Sequence, residues 1–117
     1  MKGVNCQELR RGIDLFNRGE FFEAHEVLED VWRVAPHEYK KFLQGIVQLA
    51  VAFHHRSTGN FRGMRSVMER GMKNITDHPK DCCGLRVSEL VNSFAGWRKA
   101  MDSGSDFADP PHIEVSG

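Results

Sequence analysis

The chain has 117 residues, 40% of them apolar and 27% charged, which is the size and composition of one globular domain. Its 16 basic and 16 acidic residues cancel, so there is no basic surplus to drive nucleic-acid binding or docking on an anionic membrane. No apolar run approaches the roughly 18 residues a membrane span requires, and no secretion signal follows Lys2.

Five helices are predicted in chain order. The first spans Asn5 to Phe16, opened by an Asn5/Glu8 capping box and striped by Leu9, Ile13 and Phe16. The second spans Glu20 to Val34, with Glu20 and Glu23 in its first turn and Pro36 stopping it. The third spans His37 to Arg56 and is apolar on nearly every side from Phe42 to Phe53, as suits a central helix. Gly59 suits a left-handed cap and Asn60 an N-cap, so a fourth helix is expected from Phe61 to Ile75. The fifth, from Val87 to Asp102, carries Val87, Leu90, Phe94, Trp97 and Met101 on one face. Residues 103–117, with Gly104, Pro110 and Pro111, read as an extended or disordered tail.

An aromatic follows the turn at both Gly19-Glu20-Phe21 and Gly59-Asn60-Phe61, a weak internal repeat. The expected architecture is all-α: two antiparallel, tetratricopeptide-like hairpins and a C-terminal packing helix, in a single bundle over residues 1–102. Of the three cysteines, Cys82 and Cys83 are adjacent and poorly placed to bridge each other. All three are read as free thiols in a reducing, cytoplasmic setting.

The candidate site rests on polar residues along apolar stripes. With His25 as origin, Glu29 lies about 40° to one side and Trp32 about 20° to the other, flanked by Phe21, Phe22 and Leu28. Glu26 lies about 100° away, on the margin. On the third helix Gln44, Gln48 and His55 fall within about 40° of one another. An antiparallel packing would place Gln44 near Glu26 to Glu29, Gln48 near His25, and His55 near Phe21 or Phe22. His54, off that axis, reads as solvated. The expectation is a buried His/Glu/Gln network between helices two and three, within a module that binds a small molecule or protein. The alternative is a metal-dependent hydrolase, with His25, Glu29 and His55 holding zinc, iron or manganese and Glu26 as base. His25-Glu26-Val27-Leu28-Glu29 supplies only half of a zincin motif, because Glu29 stands where the second histidine would be. Helix four has a basic side (Arg62, Arg65, Arg70, Lys73) and helix two an acidic one, so the two are expected to pack in complement or to be solvated. The strongly apolar third helix makes a homo-oligomer a further expectation.

Three strings carry a family resemblance. They are Phe16-Asn17-Arg18-Gly19-Glu20-Phe21-Phe22-Glu23-Ala24-His25-Glu26-Val27-Leu28-Glu29-Asp30-Val31-Trp32, the run from Phe42 to His55, and Gly59-Asn60-Phe61-Arg62-Gly63. Together they resemble the domain of unknown function 309 family of small prokaryotic helical proteins. The resemblance implies a helical fold, no settled activity, and motif positions at His25, Glu26, Glu29, Trp32, Gln48, His55, Gly59 and Asn60. Met64 departs from the alanine usual after the Gly-Asn turn, a matter of packing. Metal-dependent hydrolysis has been suggested for such proteins by motif analogy alone.

Overall fold

The computed structural model describes residues 3–104 and 109–116. Five helices follow in order: α1 Cys6–Asn17, α2 Phe21–Arg33, α3 His37–Ser57, α4 Phe61–Asp77 and α5 Val87–Asp102. The predicted helices are all present, with ends moved by two residues at most. Their starts are chemically marked. Asn5 Oδ1 accepts from the Glu8 amide at 3.2 Å, and Asn60 Oδ1 accepts from the Gly63 amide at 2.9 Å. Glu8 does not close the predicted capping box; its carboxylate takes Arg11 instead, at 2.8 Å. Gly59 adopts φ +83, the left-handed conformation that ends α3 at low cost. Lys40 closes the other end of α2, donating to the carbonyls of Trp32 and Arg33 at 2.5 and 2.6 Å.

Consecutive helices pack on one another, and α3 is the centre, most extensively against α4 and then α2. The chain is therefore two antiparallel hairpins, α1–α2 and α3–α4, with α5 closing the bundle. At 21 residues, α3 is about 31 Å long, the longest of the described helices. Its residues Phe42, Leu49, Ala50, Ala52 and Phe53 are wholly buried. Among the described residues no helix is long and apolar enough to cross a membrane.

Two glycines set the α3–α4 spacing. A Cβ on Gly45 would lie 2.7 Å from the Gly71 carbonyl oxygen, and one on Gly71 would lie 3.0 Å from that of Gly45. Backbone meets backbone here, so neither side can yield by a rotamer change. Gly45→Ala should therefore destabilise by about 1–3 kcal/mol despite alanine's better helix propensity. Gly96→Ala on α5, where nothing lies within 4 Å, should be neutral or stabilising by up to about 1 kcal/mol. Urea midpoints of the two variants test the contrast.

The cysteine assignment is corrected. Cys6 and Cys83 are disulfide-bonded, with Cα atoms 5.3 Å apart, and only Cys82 is free. The pair is 77 residues apart in sequence and meets only because α1 packs beside the α4–α5 connection. The argument from three free thiols to a reducing compartment loses its premise. Cys82 is buried, and burial with the nearby Asp81 carboxylate pushes its thiol up to about 11, so it is neutral at pH 7.

Residues 109–116 return to the bundle. Asn17 Nδ2 donates to the Ile113 carbonyl at 3.0 Å, and the Ile113 amide donates to Asn17 Oδ1 at 2.8 Å. The Ser116 amide donates to the Gly84 carbonyl at 2.9 Å. Ile113 joins the core at 3% exposure.

Candidate functional site

Along α2 the buried positions are Ala24, Val27, Leu28 and Val31. Their mean direction lies about 110° from His25, on the side away from Glu29. The core stripe is therefore turned from the axis expected from Phe21, Phe22 and Trp32. His25 and Glu29 lie on the flank, with side chains 33% and 38% exposed. Among the described residues no polar or charged side chain is buried in the core. The expectation of a buried His/Glu/Gln network is thus corrected to a half-open cluster.

Within that cluster His25 Nε2 lies 2.9 Å from Glu29 Oε2. The other oxygen, Oε1, accepts from Arg33 at 3.0 Å, and Arg33 also donates to Asp30 at 2.8 Å. Arg33 thereby holds both carboxylates in one line along the helix. Glu26 is exposed beside them. Together with Phe22 these residues line an open cleft of about 220 Å³.

The register between α2 and α3 matches the antiparallel expectation. Phe21 meets Phe53, with centroids 5.6 Å apart, and Phe22 meets His54 at 5.5 Å. The rotation of α3 differs from it. Gln48 Oε1 accepts from Asn74 of α4 at 2.8 Å, so the middle of the polar stripe faces α4 and not His25. His55 lies about 20° from Gln48 around α3, whereas His54 lies about 120° away, toward α2. The histidine expected to be solvated therefore stacks edge-on against Phe22, and His55 is not the one that reaches α2. Gln44 is half-buried on α3. Trp32 is half-buried beneath the Lys40 ammonium, 4.8 Å from its ring, so it braces the α2–α3 link.

The metal-ligand expectation fares in the same way. Among the described residues no three His, Cys, Asp or Glu side chains gather closely enough to hold an ion. His25 and Glu29 are adjacent, but His55 belongs to a different face, so the three do not fit a hydrolytic centre that needs about three protein ligands. Glu26 has no such centre to serve as base.

Among the described residues no ion pair joins the acidic face of α2 to the basic face of α4. α2 packs on α1 and α3, while α4 packs on α3 and α5. Arg65 pairs instead with Asp102 and Lys73 with Asp77, each on or next to its own helix pair. That leaves the α2 carboxylates facing outward.

Equidistance from the Ala35-Pro36 link opposes Phe22 to a residue near Leu49 or Ala50, about one helical turn short of His54, so register alone did not single out His54. The rotation could not be taken from α3 alone, because it is apolar on so many sides that its pattern defines no single face.

Comparison with known proteins places the sequence. A family model described as a domain of unknown function, DUF309, matches residues 9–67, half of the chain. An uncharacterised protein of Aquifex aeolicus strain VF5 is 30% identical over 102 residues, covering 86% of this chain and 29% of that protein. The uncharacterised protein YpuF of Bacillus subtilis strain 168 is 34% identical over 55 residues, 46% of this chain and 32% of that protein. The chain thus spans about a third of the length of either relative. The matched residues run from Leu9 within α1 through α2 and α3 to Val67 within α4, with both aromatic turns, and the chain belongs to the DUF309 family of helical proteins.

Proposed function

We propose that the protein is a binding module whose recognition face is the cleft on α2, and that its partner presents a cationic side chain beside an apolar one. One observation carries the reading. Phe22 is 46% exposed, with an imidazole against its edge from each of two helices, His54 at 5.5 Å and His25 at 6.5 Å. A large aromatic held in place by two imidazoles and left half in water is ready for contact, and aromatic anchors of this type concentrate binding energy. Around it stand Glu26, Glu29 and Asp30 against the single Arg33, so a cation is attracted both by the carboxylates and by the ring face. The part that matches the relatives makes up about a third of their length, which suits a module working within larger chains.

A short arginine peptide amide is the probe. Titrated into isotope-labelled protein, it should shift the Phe22, His25 and Glu26 resonances saturably, and a glutamate peptide should not. Phe22→Ala should weaken the effect by about ten-fold while changing stability by no more than about 0.5 kcal/mol, as an exposed position allows. Shifts spread evenly over all carboxylates, or unaffected by Phe22→Ala, would overturn the assignment.

A further inference from the structure

The C-terminal segment is held the way a bound peptide is held. Asn17, the last residue of α1, uses its side-chain amide to give and take one hydrogen bond each with the Ile113 main chain, as a neighbouring strand would. The turn Cys82–Leu85 continues the pairing: Leu85 bridges Val115 in antiparallel sense, and the Gly84 carbonyl takes the Ser116 amide. These contacts read main chain, so they are indifferent to the identity of most side chains in the segment. Side-chain selectivity comes from alternate positions, Ile113 at 3% exposure and Val115 half-buried. Pro110 and Pro111 precede them and favour an extended backbone before any contact is made, which lowers the entropy lost on docking.

Open hollows flank the segment. Beside Asp109–His112 an open space of about 210 Å³ runs over Phe16, Asn17 and Phe21, and beside Ile113–Val115 one of about 370 Å³ runs over Arg10 and Ile13.

We propose that the groove between the end of α1 and the Cys82–Leu85 turn is a second binding site, for an extended segment of a partner protein. That segment has the pattern Pro-Pro-x-Ile-x-Val, and the chain's own residues 109–116 occupy the site in its absence. The tail is then an intramolecular competitor, and partner binding requires its displacement. The site is separate from the α2 cleft and does not depend on the reading given to that cleft.

The test uses the full-length chain and a fluorescein-labelled peptide of residues 109–116. In Ile113→Asp the tail carries a charge where the site buries an apolar group. Its groove should open and bind the peptide at least ten-fold more tightly than wild type does. Adding Asn17→Ala should weaken that binding about ten-fold, the worth of a paired hydrogen bond. A peptide bearing the same aspartate should not bind. Wild-type protein gives a readout that needs no variant: the Ile113 and Ser116 amides should exchange with solvent faster than those of α3, and excess peptide should accelerate them saturably. The proposal is overturned if the helical Ile113→Asp chain ignores the peptide, or if the Ile113 and Ser116 amides exchange only with global unfolding. It is equally overturned if the tails prove to swap between two copies in a stable dimer, since the groove would then serve self-association.

Discussion

Replacing Phe53 by alanine is expected to cost about 3–5 kcal/mol, the range for a large aromatic removed from a packed interior. The position justifies the upper half of that range. Phe53 is fully buried near the end of α3, and its ring meets Phe16 of α1 at 5.6 Å, Phe21 of α2 at 5.6 Å, and Phe94 and Trp97 of α5 at 6.0 and 4.9 Å. Four helices are thus joined through one side chain. A cavity there has no nearby flexible group to collapse into it, because its walls are themselves rigid rings. With total stability of about 5–15 kcal/mol for such a domain, the variant should melt on the order of 10–20 °C lower. Phe53→Leu, which keeps most of the volume, should lose less than half as much. Urea unfolding followed by circular dichroism decides it, and a loss under about 1 kcal/mol for the alanine variant would show that α5 is not held through this cluster.

The fold was legible in the sequence because its signals are local. Asn5, Gly59, Asn60 and Pro36 mark helix ends by backbone chemistry that acts within a few residues, and the structure uses each at that place. The antiparallel register of α2 and α3 followed from the shortness of their link. Rotation about each helix axis was harder to read, and the site depended on it. Phe21, Phe22 and Trp32 pulled the inferred core stripe of α2 toward His25, yet Phe22 is exposed and Trp32 only half-buried, while small Ala24 is wholly buried. Counting large apolar residues therefore misplaced the face that counting Ala24 and Val27 would have found. On α3 the same difficulty exchanged His54 for His55. Long-range pairings left no mark at all: nothing near Asn17 indicates Ile113, and nothing near Cys6 indicates Cys83.

The second large effect is expected from the Cys6–Cys83 bond. It closes a loop with a sequence separation of 77, for which chain entropy gives an upper figure of about 4–5 kcal/mol, and about 2–4 kcal/mol is the realistic loss on removal. The bond matters more than its length suggests because it joins the first helix to the turn that also receives the tail through Gly84 and Leu85. Arg10 of α1 adds a further link, donating to the Cys83 carbonyl at 3.2 Å. Unfolding with and without a dithiol reductant should separate the midpoints by that amount, and Cys6→Ser should reproduce the reduced value. Thiol counting checks the pairing itself: unreduced protein should expose one thiol, Cys82, and only on unfolding, while reduction and unfolding together should expose three. Three thiols without reductant would refute the bond. The partner position adds a finer expectation. Cys83 holds φ 55, a conformation that costs a residue with a Cβ roughly 1–2 kcal/mol. With the bond already removed by Cys6→Ser, Cys83→Gly should therefore be more stable than Cys83→Ser by about 1 kcal/mol, showing that the turn itself holds this position left-handed whether or not the bond is present.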